Sequence, residues 1–384
     1  MQATIEHVAH VTECLAGGTL TVLRQLTAEL ARSRVRQTLI FSRRPDSPRD
    51  VAALFPEAVR LIEVRPARGA HIDFIGDLAR ALRMLLATDT PGIVHLHSSK
   101  AGFVGRLVLR ALDAHNGART RILYSPHGLA FLNPQRPWSS LAYWLLERLA
   151  GMVDCQTVGC GASEARALAT VNRRPPLILE NPVDPAFFDV DQRDPERPVV
   201  VSVGRLCEQK APEIFAELSV RVRLDAENAR FVWVGDGERE REAMLRAVGI
   251  EVTGWLPQEQ VRSRLATATA YVQTSRWEGL PLAVLQAMAV GLPCLVLDAV
   301  GNRDAVEHNR TGLIAKDTDD LEMYLTMLLA SAPMRARLGA RARAQAAERF
   351  SLARFRANLL DLYGVQATNA PRRLRATAAP ATLA

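Results

Sequence analysis

A carboxylate, a tight turn and an apolar helical segment follow one another in the second half of the chain. Glu278 precedes Gly279, Leu280 and Pro281, and the apolar segment that follows carries a polar side chain at Gln286. A strand-turn-helix junction of this kind places the carboxylate at the mouth of a cleft. It also directs the free N–H groups of a helix N-terminus toward the cleft, and these groups suit an anion. The pattern therefore predicts a site for an anionic ligand beside Glu278.

Two cations follow a Val-rich strand that begins the same half. Gly204 permits a tight turn after this strand, and Arg205 and Lys210 lie five positions apart. Arginine binds phosphate oxygens through its planar fork, and lysine acts as a point charge. Together they can neutralise a leaving diphosphate without a metal. Two ordinary surface cations after a strand are the alternative.

Candidate residues also follow strands of the first half. Gly17 and Gly18 are adjacent, which permits close backbone approach, although such a pair is usually only a turn. His127 stands at the carboxyl end of a strand, where sites form in α/β proteins, although a lone histidine is more often structural. Ser99 and Lys100 can hold an acceptor phosphate at a helix start, or can form a helix cap and a surface charge.

The elements that must position these residues are strands and helices in alternation. Short Val- and Ile-rich segments alternate with helical patterns along the whole chain, as in βαβ units with parallel sheets. The predicted strands are 7–12, 37–42, 93–97, 122–125, 155–158, 177–179, 199–203, 231–234, 252, 270–273, 294–297 and 313–314.

Two Pro-rich polar clusters lie close together at 181–185 and 194–198 and predict an interdomain linker. We therefore predict a first Rossmann-like domain over residues 1–185, a linker over 186–198 and a second domain over 199–350. A helix at 351–366 follows. Residues 367–384 have no apolar period and are predicted to be disordered. Two doubly wound domains that face one another place a cleft at the carboxyl ends of their strands.

Composition excludes several classes of protein. The 384 residues, 48% of them hydrophobic and 23% charged, are typical of a globular protein, and no apolar segment approaches the length of a membrane span. The five scattered cysteines and the absence of a signal peptide predict free thiols in a reducing cytoplasm. An aromatic content of 5% argues against nucleic-acid binding.

The net charge of +7 arises from the first half and the tail. This suits an anionic membrane surface or a phosphate-bearing acceptor, and a solvated basic surface is the alternative.

The segment 275–289 resembles the signature of glycosyltransferase family 4, the retaining sugar-nucleotide transferases of GT-B fold. That signature is a Glu, seven residues and a second Glu, and the second position here is Gln286. The segment from Gly204 to Lys210 resembles the family's G-R-L-x-x-x-K element, and His127-Gly128 resembles its His-Gly element. The resemblance implies an α/β fold of two Rossmann-like doubly wound domains facing across a cleft. It also implies that helix 351–366 crosses back to the first domain.

The resemblance assigns roles to residues of this chain. It implies that Glu278 and His127 are catalytic. The residues that bind the donor diphosphate are Gly204, Arg205, Lys210 and Leu280. The residues at the donor sugar or ribose are Gly17, Gly18, Gly279 and Gln286. On the acceptor side are Ser99 and Lys100. No metal site is expected, because the two D-x-D segments at 189–191 and 317–319 do not follow strands.

The implied reaction moves a sugar from a UDP- or GDP-sugar, without a cofactor, to a lipid-linked saccharide acceptor in bacterial surface or exopolysaccharide biosynthesis. The implied location is the cytoplasm, with attachment to the inner face of the cell membrane. Two alternatives remain open: a sugar-nucleotide epimerase of GT-B-like fold, and a catalytically weak sugar-nucleotide-binding protein, which the Gln286 departure suggests. A nicotinamide oxidoreductase is disfavoured because Gly17-Gly18 is not a G-x-G-x-x-G fingerprint.

Overall fold

The computed structural model describes residues 5–44, 47–65, 72–116, 120–224 and 226–365. The tail 367–384, which the sequence predicts to be disordered, lies outside the described residues. Within those residues, no helix is long and apolar enough to cross a bilayer.

The first half forms a parallel sheet with strand order β3-β2-β1-β4-β5-β6-β7. Its strands are β1 His7–Thr12, β2 Arg36–Ser42, β3 Val59–Val64, β4 Ile93–His97, β5 Arg121–Ser125, β6 Gln156–Gly159 and β7 Leu177–Ile178. The helices of this half are α1 Gly17–Arg32, α2 Ile72–Thr88, α3 Ser99–Asn116, α4 Pro137–Ala150 and α5 Ala162–Ala169. The strand order reverses direction between β1 and β4, which is where doubly wound sheets bind ligands.

The second half repeats this plan with strand order β10-β9-β8-β11-β12-β13. Its strands are β8 Val199–Val203, β9 Arg230–Val234, β10 Glu251–Val252, β11 Ala270–Gln273, β12 Cys294–Leu297 and β13 Gly312–Ala315. The helices are α6 Pro212–Val222, α7 Arg239–Ala247, α8 Gln258–Ala266, α9 Leu282–Val290, α10 Asn302–Ala305, α11 Thr318–Ala330, α12 Ala332–Arg349 and α13 Leu352–Tyr363. The predicted pair of doubly wound parallel sheets is confirmed.

One strand, β3, is absent from the sequence-based prediction. It pairs only with β2 at the edge of the first sheet, and its ends Val59 and Val64 are buried while Arg60 and Glu63 are exposed. An edge strand needs little apolar surface, so the VRLIEV segment lacks the continuous apolar pattern that marks the central strands.

The last helix, α13, packs on the first sheet and not on the second. Phe355, Leu359 and Tyr363 share an apolar cluster with Val8 of β1 and Leu26 of α1. Just before α13, the chain passes beside the segment that joins the two halves, where the Val183 amide donates to the Phe350 carbonyl at 2.8 Å. Helix α13 therefore packs against the half in which the chain begins.

Candidate active site

The carboxyl edges of the two sheets meet through glycines. A Cβ atom placed on Gly279 would lie 3.1 Å from the backbone nitrogen of Gly128 and 2.7 Å from the sulfur of Cys160. A Cβ atom placed on Gly18 would lie 3.5 Å from Leu282, the first residue of α9. The start of α1 therefore lies against the start of α9, and the loop after β5 lies against the loop between β11 and α9. This contact forms the base of the cleft between the halves.

Glu278 lies at this contact and is only 6% exposed. Its carboxylate accepts from Lys210 Nζ at 2.5 Å and from Gln273 Nε2 at 2.9 Å. Gln209 Nε2 approaches the second oxygen at 3.4 Å. The structure thus brings together the carboxylate and one of the two cations that the sequence places in different motifs. Gln273 is a partner that the sequence analysis missed, because a polar residue that ends a strand carries no distinguishing signal.

The loop that carries the two cations is shaped by its backbone. Trp233 Nε1 donates to the Gly204 carbonyl at 2.8 Å, and a Cβ atom on Gly204 would lie 3.1 Å from Lys210. Ala211 adopts a left-handed conformation with φ of 48° immediately before α6. The side chain of Lys210 is largely buried beside Glu278, whereas Arg205 is exposed. Lys210 is therefore held in place by Glu278, and Arg205 lies at the surface of the site.

The turn into α9 holds Leu280 and Gln286. Leu280 is buried, and its carbonyl accepts from Asn181 Nδ2 at 2.9 Å, which ties the turn to the segment joining the halves. Gln286 is also buried, one turn into α9, and its Nε2 donates to Gln258 Oε1 at 2.9 Å. This bond directs the amide nitrogen of Gln286 toward α8, so its oxygen remains the acceptor.

His127 adopts a left-handed conformation with φ of 54° after β5, which is unusual for a side chain with a Cβ atom. Its Nε2 lies 3.1 Å from Nδ1 of His97, and Nε2 of His97 lies 3.2 Å from Nδ1 of His10. Burial lowers the pKa of His127 to about 4 and the pKa of His10 to about 3. Burial also lowers the pKa of His97 well below 6.5. All three imidazoles are therefore neutral near pH 7.

The inner end of this histidine chain lies near Gln37. Burial lowers the pKa of His10, and Gln37 has the smaller, opposite effect. Nε2 of His10 and Oε1 of Gln37 are both buried, and neither has a hydrogen-bond partner among the described residues. The Gln37 amide is held by its own bond to the Thr27 carbonyl at 2.9 Å. The two nitrogen contacts join His10, His97 and His127 into one row of imidazoles that ends at the site.

Glu164 is a second buried carboxylate of the site that the sequence analysis missed. It accepts from the backbone amide of Gly128 at 2.6 Å and from that of Cys160 at 2.8 Å. Burial raises the pKa of Glu164, and the hydrogen bonds to Cys160 and Gly128 oppose this shift. The carboxylate fixes the backbone on which His127 stands. Its position in an ordinary helical pattern, SEARALA, gave no signal in the sequence.

Ser99 and Lys100 begin α3, after the loop that follows β4. Lys100 is exposed, and Ser99 is half-buried near the hydroxyl of Tyr124. Within the described residues, neither side chain bonds to Lys210 or Glu278.

His10, His95 and His97 each offer a nitrogen, and these nitrogens lie within 4.8 Å of one another, as a metal site would require. Both nitrogens of His95 are already bonded, Nδ1 to Tyr363 at 2.5 Å and Nε2 to Ser125 at 2.9 Å. No carboxylate belongs to the cluster, and a buried dication would lack a compensating charge. The hydrogen-bonded arrangement accounts for these histidines.

Two family models divide the chain between them. The model described as glycosyltransferase family 4 matches residues 16–187, and the model described as glycosyl transferases group 1 matches residues 184–345. The chain is a glycosyltransferase similar to family 4. The predicted enzyme class is thereby confirmed.

Relatives of this glycosyltransferase include UDP-Gal:alpha-D-GlcNAc-diphosphoundecaprenol alpha-1,3-galactosyltransferase of Escherichia coli. The two are 27% identical over 290 residues, which cover 69% of this chain and 73% of the relative. An uncharacterized 41.2 kDa protein in the cps region of Klebsiella pneumoniae is 22% identical over 82% of this chain and 87% of its own length.

Solved structures show the GT-B fold. Sucrose-phosphate synthase from Thermosynechococcus elongatus has a TM-score of 0.80 at 17% identity, covering 94% of this chain and 98% of that chain. HepE of Anabaena, solved with UDP and glucose, has a TM-score of 0.76 at 15% identity, covering 94% of this chain and 99% of that chain.

Proposed function

We propose that this enzyme is a retaining glycosyltransferase that moves a sugar from a nucleoside-diphosphate donor to a lipid-linked saccharide in bacterial polysaccharide biosynthesis. One observation carries the proposal. Lys210 and Glu278 pair at 2.5 Å at the point where the glycine loops of the two halves meet. A cation placed there can bind a phosphate, and nothing lies within 4 Å of a Cβ atom placed on Gly17, which leaves space for a sugar.

The donor diphosphate binds to Arg205, Lys210 and the backbone amides around Leu280 at the start of α9. Lys210 supplies a fixed charge, since Glu278 orients it, and Arg205 adds a planar fork from the surface. The N–H groups at the start of α9 complete an anion site. These groups stabilise the leaving nucleoside diphosphate as negative charge develops on it.

The sugar lies between the two halves, at Gly279, Gly17 and Gly18, with His127 and Glu278 beside it. His127 forms a hydrogen bond with a sugar hydroxyl. The bond between the anomeric carbon and the phosphate oxygen breaks, and the acceptor oxygen bonds to the same face of the oxocarbenium-like carbon. The departing phosphate takes the proton of the acceptor hydroxyl. The oxygen of Gln286 accepts from the ribose, which needs hydrogen bonds and not charge.

The relatives favour a particular donor and acceptor. The name of the E. coli relative specifies a UDP-galactose donor and a GlcNAc-diphosphoundecaprenol acceptor, and HepE was solved with UDP-glucose. We infer a UDP-hexose donor and an acceptor with a diphosphate-lipid end at the cytoplasmic face of the membrane. Ser99 and Lys100 at the start of α3 are the proposed contacts for the acceptor phosphate.

Donor binding is tested by thermal shift of the purified protein with UDP, GDP, ADP and CMP and their common sugars. A ligand that binds only the folded state raises Tm by mass action. We expect UDP and UDP-hexoses to raise Tm, and Lys210→Ala to weaken binding about tenfold to a hundredfold because it removes a charge-assisted contact. The matched control is Lys316→Ala, which removes an exposed lysine that follows the edge strand β13.

Transfer is then tested with undecaprenyl-diphosphate-linked GlcNAc, and the anomeric configuration of the product is determined by NMR. Donor binding without transfer to any lipid-linked saccharide would favour a nucleotide-sugar-binding protein. A new UDP-sugar formed without acceptor would favour an epimerase. An inverted product, or no binding of any nucleotide, would contradict the proposal directly.

A further inference from the structure

The helix α4 displays its apolar side chains to solvent. Its sequence is PWSSLAYWLLERLA, and Trp138 is 84% exposed while Leu145 and Leu149 are each more than half exposed. Leu141 and, just past the helix end, Met152 extend the same stripe. At spacings of three and four residues, these five side chains lie on one face. Soluble proteins rarely expose a contiguous apolar face of this kind without a partner for it.

The inner face of α4 mixes polar and apolar side chains and contains none of the leucines of the helix. The helix contacts the body of the protein through Ser140, Trp144, Glu147 and Ala150, spaced four, three and three residues apart. Glu147 is buried and accepts from Arg106 Nη2 at 2.5 Å and from the Tyr124 hydroxyl at 2.7 Å. A surface helix of a globular protein normally turns its apolar face inward. In α4 the leucines face solvent and Glu147 makes inward polar contacts. The leucines are therefore available to a binding partner.

The charge around this face is positive. Glu147 is buried and paired, so Arg148 is the exposed charge of the helix itself. The C-terminal end of α4 lies against residues 171–172, since a Cβ atom on Gly151 would lie 2.1 Å from the Val171 carbonyl. Arg173 and Arg174 follow at once and are exposed, and Arg174 pairs with Asp154 at 2.7 Å. Apolar side chains are thus bordered by arginines.

We propose that α4 docks on an anionic lipid bilayer and lies in the plane of its interface. Its 14 residues span about 21 Å, too short to cross a bilayer but sufficient for an interfacial helix. Trp138, on the apolar stripe, is a residue type that populates the membrane interface. The bordering arginines match anionic headgroups, whereas the same surface on a second copy of this chain would be repelled by its like charge.

The position of α4 places the cleft at the bilayer surface. Arg136, directly before the helix, pairs at 2.7 Å with Glu208 of the other half, two residues from Lys210. The docked helix therefore lies at the mouth of the site. If the proposed function is correct, a bilayer-embedded acceptor would enter the cleft from this side. The docking itself does not depend on that function, so it can be tested without turnover.

The test is co-sedimentation of the full-length protein with vesicles of phosphatidylcholine alone and with 30% phosphatidylglycerol added. We expect binding to the anionic vesicles, and about tenfold weaker partitioning for each of Leu145→Glu and Leu149→Glu, because each replaces an apolar side chain that enters the bilayer with a charge. The matched control is Leu224→Glu, since Leu224 is 79% exposed in the other half of the molecule. We expect it to bind as the wild type does.

Quenching by brominated lipids locates the inserted helix. We expect the quenched fraction of tryptophan fluorescence to fall in Trp138→Phe. Retained donor binding by Leu145→Glu would show that the variant is folded. If the wild type itself bound no donor, that result would contradict the proposed function and leave the docking proposal unaffected. Equal vesicle binding by Leu145→Glu and the wild type would overturn the docking proposal. A dimer in solution that Leu145→Glu dissociates, without vesicle binding, would assign the face to a second copy.

Discussion

Three side chains, two from one loop and one from a strand, hold the carboxylate of Glu278. Lys210 and Gln209 come from the loop after β8, and Gln273 ends β11. The sequence analysis placed Lys210 and Glu278 in separate motifs for the diphosphate and the sugar. Their 2.5 Å contact means that each orients the other. Loss of Lys210 would leave a buried carboxylate without its cation, which typically costs several kcal/mol when the pair is fully buried and less here, where Lys210 retains some exposure.

The buried histidines predict that acid destabilises the fold. The pKa values of His127 and His10 are lowered to about 4 and about 3, and the pKa of His97 is well below 6.5. The unfolded chain therefore binds more protons below pH 6.5, so stability is full above that pH and is lost as the pH falls toward 4. At pH 5 the loss is about 2 kcal/mol for each such imidazole. Tm measured from pH 7.5 to pH 4.5 checks this.

A variant isolates the contribution of the histidine chain. His97→Gln should lower Tm at pH 7.5 but flatten its fall toward pH 4.5, because one protonation that favours unfolding is removed. His308→Gln is the matched control, since His308 is exposed, and its slope should equal that of the wild type. An unchanged slope in His97→Gln would contradict the assignment of a neutral buried imidazole.

At the scale of elements, the glycine loops decide how closely the two halves approach. Gly279→Ala would place a methyl group 2.7 Å from Cys160 Sγ and 3.1 Å from the Gly128 nitrogen. Since the backbone atom cannot move aside easily, we expect a loss of stability of about 1–3 kcal/mol and a large loss of transfer activity. Chemical denaturation and a transfer assay measure the two effects.

Gly18→Ala separates the space needed for a ligand from the space needed for folding. The added Cβ atom lies 3.5 Å from Leu282, an ordinary van der Waals distance, so the fold should be nearly unaffected. If Gly18 lines the donor, as the family resemblance implies, donor affinity should fall while Tm holds. Gly76→Ala in α2, where nothing lies within 4 Å of the added Cβ atom, is the control for both measurements. Unchanged donor affinity in Gly18→Ala would show that Gly17-Gly18 has only the structural role of a turn and does not line the donor.

At the scale of the whole molecule, α13 packs as part of the first half. Phe355 is 3% exposed in the cluster that includes Val8 and Leu26, and Tyr363 bonds to His95 of β4. Phe355→Ala should cost about 3–5 kcal/mol. Hydrogen exchange should show the amides of β1 and β4 losing protection.

Leu224→Ala is the control for Phe355→Ala, because Leu224 is 79% exposed and its removal should change stability little. Loss of protection confined to the second sheet would contradict the assignment of α13 to the first half. The predicted domain limits at 185 and 199 remain a separate prediction.

Sequence patterns alone were sufficient for the two doubly wound sheets, since each central strand carries its own apolar segment and each helix its own period. They also marked the loops that form the site, because Gly204-Arg205, His127-Gly128 and Glu278-Gly279 each follow a strand. Only the tertiary structure decided which groups meet. The Lys210–Glu278 pair, the support of Gly128 by Glu164 and the row of imidazoles from His10 to His127 join residues that lie far apart in sequence. Local patterns reflect burial and backbone preference, whereas a contact between distant loops depends on how complete sheets pack.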